Sequence, residues 1–108
     1  MIITTANDLP GYRITEVMGE VFGLTVRSRN AGSQFGAALK AIAGGELKGM
    51  TKNLVASRHE VIARMVEEAE SRGGNAIVAM RFDTSEMGGN WTEICAYGTA
   101  VKVVPAGS

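Results

Sequence analysis

Few side chains in this sequence could bind a soft metal ion: one cysteine, one histidine and six methionines are present among 108 residues. A tight site for such an ion needs three or four thiolate, imidazole or thioether ligands that converge on one point. Cys95 has no second cysteine for a C-x-x-C pair, and His59 lies between Arg58 and Glu60, where a solvated side chain is the simpler explanation. Met50, Met65 and Met80 fit core positions, so the methionine count mostly reflects packing. We therefore expect no complete metal site within a single chain.

Catalytic pairs and phosphate-binding loops are not indicated either. No Ser-His or Cys-His pair is suggested by the local sequence. Gly-Gly pairs begin at positions 44, 73 and 88, but none fits a phosphate-binding motif, and each occurs where a helix would stop or a hairpin would turn. The sequence therefore predicts a protein that is not an enzyme.

Arg58 is the charged residue with the least ordinary position. It lies four residues from both Leu54 and Ile62, so it points toward the apolar stripe of a predicted helix. A guanidinium group there either forms an ion pair, within a chain or between subunits, or holds an anionic ligand. Glu46 and Glu16 are the candidate partners.

A long amphipathic helix is predicted over residues 51–72, and it positions Arg58 and His59. Its apolar residues recur at three- and four-residue spacings and predict one buried face, formed by Leu54, Val61, Ile62, Met65, Val66 and Ala69. Thr51 is a suitable N-cap, and Gly73 is suited to end the helix because glycine adopts a left-handed conformation without a Cβ clash. The apolar residues 76–80 then predict a buried strand.

Strands and a second, short helix are predicted before the long helix. Residues 2–5 are a candidate first strand, and residues 12–27 form either one long bent strand or two strands joined near Gly19. Gly19 and Gly23 indicate bulges or close backbone contacts. A short helix is expected over about residues 34–42. The predicted fold class is α+β, an antiparallel sheet with both helices packed on one face, in a single domain spanning residues 1–108.

A hairpin is predicted at the C-terminal end, from strands over residues 76–85 and 91–104 and a five-residue loop. Symmetrical closure of the loop would pair Ser85 with Trp91. One face of the hairpin would then be apolar and carry the helix, through Val78, Met80, Phe82, Ile94 and Ala96.

The other face of the hairpin would combine charged, aromatic and thiol side chains, namely Arg81, Asp83, Trp91, Glu93, Cys95 and Tyr97. Such a mixture is not a core, so we expect a subunit contact or a ligand there, with Trp91 and Tyr97 as flat binding surfaces. Arg81 would lie directly opposite Cys95 and could stabilise a thiolate. If a divalent metal ion binds, we expect it at a subunit interface, where symmetry repeats either Cys95 or the carboxylates of Glu93 and Asp83.

Composition limits the classes of partner and the compartment. Eleven basic and eleven acidic residues give a formal net charge of zero, which argues against a nucleic-acid-binding surface. A single cysteine suits a reducing compartment. No signal peptide is indicated, and no apolar stretch approaches the roughly 20 residues of a membrane helix. We expect a cytoplasmic protein with no membrane partner.

Several segments occur in an order and spacing that resemble a known family. They are residues 44–49 (GGELKG), Thr51-Lys52 followed by Arg58, residues 73–78 (GGNAIV) and residues 98–101 (GTAV). Over residues 3–104 the chain resembles the YbjQ-like family, which is catalogued as heavy-metal-binding. The resemblance implies a dodecin-like β/α subunit assembled into a ring-shaped homopentamer, and it implies no catalytic residue.

Two functions remain open at this point. One is a non-enzymatic homo-oligomer that binds a metal ion or a small molecule at its subunit interfaces. The alternative is a scaffold whose mixed sheet face docks another protein chain and holds no small ligand.

Overall fold

A computed structural model describes residues 1–28, 48–87 and 91–107 of the chain. The elements are β1 (Ile2–Ile3), β2 (Tyr12–Ser28), α1 (Lys48–Ser71), β3 (Ala76–Met87) and β4 (Trp91–Pro105). The predicted α+β class is confirmed. The short helix expected over about residues 34–42 lies outside the described residues.

The four strands form one sheet in the order β1-β3-β4-β2. The two pairings made by β4 are antiparallel, but β1 runs parallel to β3, so the sheet is mixed and the prediction of a purely antiparallel sheet is wrong. No hairpin joins β1 to β3, so turn geometry did not fix the direction of this strand.

The helix α1 begins earlier than predicted and ends as predicted. Lys48 is its first residue, so Thr51 lies inside the helix and is not its N-cap. At the other end Gly73 has a φ of 85°, and the amide of Gly74 donates to the carbonyl oxygen of Ala69 at 2.9 Å. This six-to-one hydrogen bond with a left-handed glycine is the Schellman arrangement that closes a helix.

The strand β2 is continuous over 17 residues, which decides between the two alternatives for this region. Its pairing with β4 shifts register between Ile14 and Glu16 and between Val17 and Gly19, where Gly19 has a φ of 104°. These irregularities are β-bulges, and they bend the strand without ending it.

The hairpin register differs by two residues from the predicted register. Met87, rather than Ser85, pairs with Trp91, so only three residues connect the strands. From the loop back to Arg81, this even shift leaves each side chain on its predicted face but changes its cross-strand neighbour. Arg81 is therefore opposite Tyr97, and the residue opposite Cys95 is Asp83.

A bulge in β3 exchanges the two faces of that strand. Ala79 has a φ of 54°, and the register shifts between Val78 and Arg81. Before the bulge Ile77 belongs to the core beneath α1, whereas Val78 packs on the other side of the sheet. The placement of Val78 against the helix was wrong because simple alternation does not survive a bulge.

The main core lies between α1 and the sheet. Its buried members are Val21, Val61, Met65, Ala69, Ile77, Ile94, Ala96 and Ala100. A second, smaller cluster on the opposite face contains Ala76, Val78, Val101 and Val103, partly covered by Ile2 and Leu9. Leu54, predicted to be buried, is 53% exposed, because close helix packing begins one turn later, at the buried Ser57.

Gly23 explains how closely α1 approaches the sheet. A Cβ atom at this position would overlap the carbonyl oxygen of Val61 and would lie 2.7 Å from the amide nitrogen of Met65. Only glycine permits the backbone of β2 to reach the helix backbone in this way. The expectation of a close backbone contact at Gly23 is confirmed.

Candidate functional site

The sheet face opposite α1, here called the distal face, brings most of the predicted site residues together. Its side chains form three cross-strand rows, each with one residue from β2, β4 and β3. The rows are Phe22–Tyr97–Arg81, Leu24–Cys95–Asp83 and Val26–Glu93–Ser85. Trp91 lies two residues before Glu93 on the same strand and pairs with Ser28 and Met87.

The column of β2 residues on the distal face was not recognised as part of a site. Phe22, Leu24 and Val26 are 46%, 38% and 44% exposed. Farther along the same strand, Tyr12, Ile14 and Val17 are exposed as well, and they pair with Pro105, Val103 and Val101 of β4. The signal in the sequence is the shared parity of Phe22, Leu24 and Val26. Neighbouring exposed apolar side chains, such as those of Phe22, Leu24 and Val26, are typical of an interaction surface.

Cys95 occupies the middle of the distal face. Partial burial raises the pKa of its thiol, and the carboxylates of Glu93, Asp83 and Glu20 raise that pKa further. The thiol therefore favours its neutral form, which is a weak nucleophile. An arriving cation would offset the three negative charges and favour the thiolate, which is the metal-binding form.

Arg81 does not stabilise a thiolate as the sequence suggested. Its Nη1 donates to the carbonyl oxygens of Thr5 and Met80, each at 2.8 Å, so the guanidinium group is directed toward the backbone. The register also places it beside Tyr97. Arg81 ties the residues after β1 to β3, and the acidic Asp83 takes the position opposite Cys95.

A complete metal site is not formed within the described part of one chain. No group of three or more histidine, cysteine, aspartate or glutamate side chains converges there. Cys95, Glu93 and Asp83 share the distal face but are spread over neighbouring pairs rather than gathered at one point. His59 is exposed on α1, as its sequence neighbours suggested.

Arg58 contributes to a separate feature at the border between α1 and β3. Its guanidinium carbon lies 4.8 Å from the centroid of the Phe82 ring, a cation–π contact. Arg58 and Phe82 line an open recess of about 180 Å³ together with Asp83 and Thr84. Among the ion pairs of the described residues none involves Arg58.

Of the two candidate partners of Arg58, the structure describes Glu16, which lies far from this recess. Glu16 pairs with Lys102, whereas Phe82 pairs with Ala96, and six residues along β4 correspond to about 20 Å. Glu16 of the same chain therefore cannot pair with Arg58, and a pair between subunits stays a prediction. Glu46 lies outside the described residues.

These features define a class of protein: a small α+β chain whose sheet carries a helix on one face and an exposed apolar and ionisable surface on the other. The chain belongs to the YbjQ family, whose model matches residues 1–104 and is described as "Putative heavy-metal-binding".

Curated relatives support this membership over almost the whole chain. A UPF0145 protein of Acidothermus cellulolyticus is 67% identical over 103 residues, covering 95% of each chain. A UPF0145 protein of Streptomyces coelicolor is 58% identical, covering 95% of this chain and 97% of the relative. A third, from Lactococcus lactis, is 54% identical over 95% of this chain and 94% of its own length. These names specify no reaction.

A solved structure supports the fold. A protein of unknown function from Pediococcus pentosaceus, assigned to the DUF74 family, is similar with a TM-score of 0.62 at 18% sequence identity. The similarity covers 96% of this chain and 98% of that chain. In the described residues, no helix combines the length and the apolar character that crossing a bilayer requires.

Proposed function

We propose that this protein is a non-enzymatic, homo-oligomeric module that binds a metal ion or small ligand on the distal face, where copies of the chain meet. The observation that carries the proposal is the juxtaposition, on one exposed sheet face, of the apolar column of β2 with the ionisable side chains of Glu93, Cys95 and Asp83. The apolar column supplies a contact surface, and the ionisable side chains supply ligands.

The shape of the subunit supports self-association. Its radius of gyration is 17.6 Å, with principal extents of 59, 28 and 17 Å. A compact domain of about 100 residues has a radius of gyration near 13 Å. An elongated chain leaves much of its sheet uncovered, and a second copy can bury what one copy exposes. The expected number of subunits, five, comes from the family resemblance.

The metal chemistry requires the assembly. One chain offers a single thiol with the carboxylates of Glu93 and Asp83, whereas a soft-metal site needs three or four converging ligands. Copies related by symmetry would repeat Cys95 and one carboxylate around a common point. Because the pKa of Cys95 is raised, binding would displace a proton and weaken as the pH falls.

Calorimetric titration of zinc, copper and nickel into the assembled protein tests this proposal. We expect heat and proton release for wild type and loss of binding for Cys95→Ser, whereas His59→Ala should bind as wild type does. Binding that is lost with His59→Ala and kept with Cys95→Ser would show that the ligand assignment is wrong.

The Arg58 recess favours a second candidate, the binding of a small anion. Its volume is about 180 Å³, whereas sites for drug-sized organic molecules span roughly 300–1,000 Å³. An inorganic oxyanion or a carboxylate group fits this volume and the guanidinium donors of Arg58, whose attraction must outweigh the repulsion of Asp83 in the same lining. Titration of phosphate and acetate into wild type and Arg58→Gln tests this candidate, and equal responses would eliminate it.

A scaffold that docks another protein chain on the distal face is the remaining alternative. Trp91 is the first residue of β4, two residues before Glu93. Its fluorescence should respond to metal ions or anions in a binding module and should stay constant in a scaffold. Titrating Trp91 fluorescence with both classes of ligand therefore separates the two functions.

A further inference from the structure

The outer edge of β2 is closed by side chains of the helix. β2 is the last strand of the sheet, so the backbone groups on its outer side have no neighbouring strand in the described residues. The amide of Phe22 donates to the Glu68 carboxylate at 3.3 Å. The carbonyl oxygens of Glu20 and Leu24 accept from the guanidinium groups of Arg72 and Arg64, at 3.0 and 2.5 Å.

Ion pairs along α1 hold these three side chains in place. Glu68 pairs with Arg72 at 2.8 Å, and Arg64 pairs with Glu60 at 2.7 Å, each one helical turn apart. Glu60 also pairs with Arg27 of β2 at 2.5 Å. The charged row thus runs along the strand edge, and each member that reaches the backbone is fixed by a neighbour of opposite charge.

An exposed strand edge is a template for pairing with another strand. Next to this edge lie the exposed side chains of Phe22, Leu24 and Val26. Antiparallel pairing of β2 with β2 of a second copy, centred on Phe22, would match amide and carbonyl groups by twofold symmetry. It would also join the two apolar columns into one surface.

We propose that Arg64, Glu68 and Arg72 form an edge cap, and that residues 20–24 of β2 are a latent docking edge for a second copy of this chain. The docking edge consists of backbone groups, whereas the side chains of Phe22 and Leu24 belong to the distal face that is proposed to bind ligands. The cap restricts self-association to other surfaces as long as its hydrogen bonds persist.

Hydrogen exchange of the Phe22 amide tests the cap directly. Glu68→Ala removes the acceptor, and a hydrogen bond to a charged group is worth enough to accelerate exchange about tenfold. Glu67→Ala is the matched control, since Glu67 is an exposed neighbour on the same helix. We expect accelerated exchange at Phe22 in the first variant alone. Unchanged exchange in Glu68→Ala, or equal acceleration in both variants, would overturn the proposal.

The docking edge is tested with the triple variant Arg64→Ala/Glu68→Ala/Arg72→Ala. We expect sedimentation velocity to show larger, concentration-dependent species than wild type, with an infrared band for intermolecular β pairing. A folded triple variant with the wild-type size distribution would overturn the docking edge. If the triple variant does not fold, sedimentation velocity and infrared spectroscopy of Glu68→Ala replace it. A wild-type size distribution for Glu68→Ala would then overturn the docking edge. Both readouts compare a variant with wild type, so they remain independent of whether the distal face binds a ligand.

Discussion

Cys95 lies beside carboxylates on the distal face, and its protonation state decides what this face can bind. Partial burial, followed by the charges of Glu93 and Asp83, raises the pKa of the thiol. Alkylation by iodoacetamide proceeds through the thiolate. We therefore expect its rate to rise with pH along a curve displaced to higher pH than that of an unfolded peptide containing this cysteine.

The same shift gives the pH dependence of stability a definite sign. Since the folded pKa of Cys95 lies above the unfolded pKa, its contribution to stability is fully present below the unfolded pKa and is lost as the pH rises through the folded pKa. Asp83→Asn removes one of the charges and should increase the alkylation rate at pH 8. Glu70→Gln, on the exposed side of α1, is the control. Equal rates in wild type and Asp83→Asn would contradict the assigned cause.

Gly23 allows a second prediction for a single residue. Gly23→Ala would place a methyl group against the backbone of Val61 and Met65, and overpacking against backbone should cost about 3 kcal/mol. At Gly11 an added methyl meets open space, and the positive φ alone should cost about 1 kcal/mol. Urea denaturation of both variants measures the difference. Similar losses for the two would show that α1 lies farther from β2.

At the level of the elements, the contact between α1 and the sheet predicts a gradient of sensitivity along the helix. Met65 is fully buried, whereas Leu54 is more than half exposed. Met65→Ala should lower the free energy of unfolding by about 3 kcal/mol, and Leu54→Ala by less than about 1 kcal/mol. Denaturant titration of both variants checks the gradient. A larger loss of unfolding free energy for Leu54→Ala than for Met65→Ala would show that the buried face of α1 extends to Leu54, as the sequence predicted.

The sequence was sufficient to predict features that depend on local chemistry. The end of α1 at a glycine, the hairpin strands and the close approach at Gly23 all follow from residue type and spacing. The distal grouping of Arg81, Asp83, Glu93, Cys95 and Tyr97 survived an incorrect register because the error was an even number of residues.

Features that depend on backbone irregularity or on distant pairing could not be predicted. The bulge at Ala79 exchanges Ile77 and Val78 between faces, and no residue type marks it. The direction of β1 depends on contacts rather than on a turn. The edge cap joins Arg64 and Arg72 to backbone atoms of β2 more than 35 residues away, and side-chain patterns do not specify backbone partners.

For the whole molecule, the distal face makes a prediction about assembly. Sedimentation equilibrium of wild type at micromolar concentration should give a mass several times the 11.4 kDa of the chain. A monomer would reject the proposed homo-oligomer. Such a result would also deprive Cys95 of the symmetry-related ligands that a soft metal needs.

The surface responsible for assembly can be assigned with two matched substitutions. Val26 and Val55 are 44% and 47% exposed, the former on the distal face and the latter on α1. Val26→Lys places an ammonium group beside Glu93, its cross-strand partner, so an isolated chain should tolerate it. A partner chain packed on the same face would have to bury that charge, at a cost of several kcal/mol. We therefore expect Val26→Lys to shift the mass toward 11.4 kDa and Val55→Lys to leave it unchanged, whereas the reverse result would move the subunit contact from the sheet to the helix.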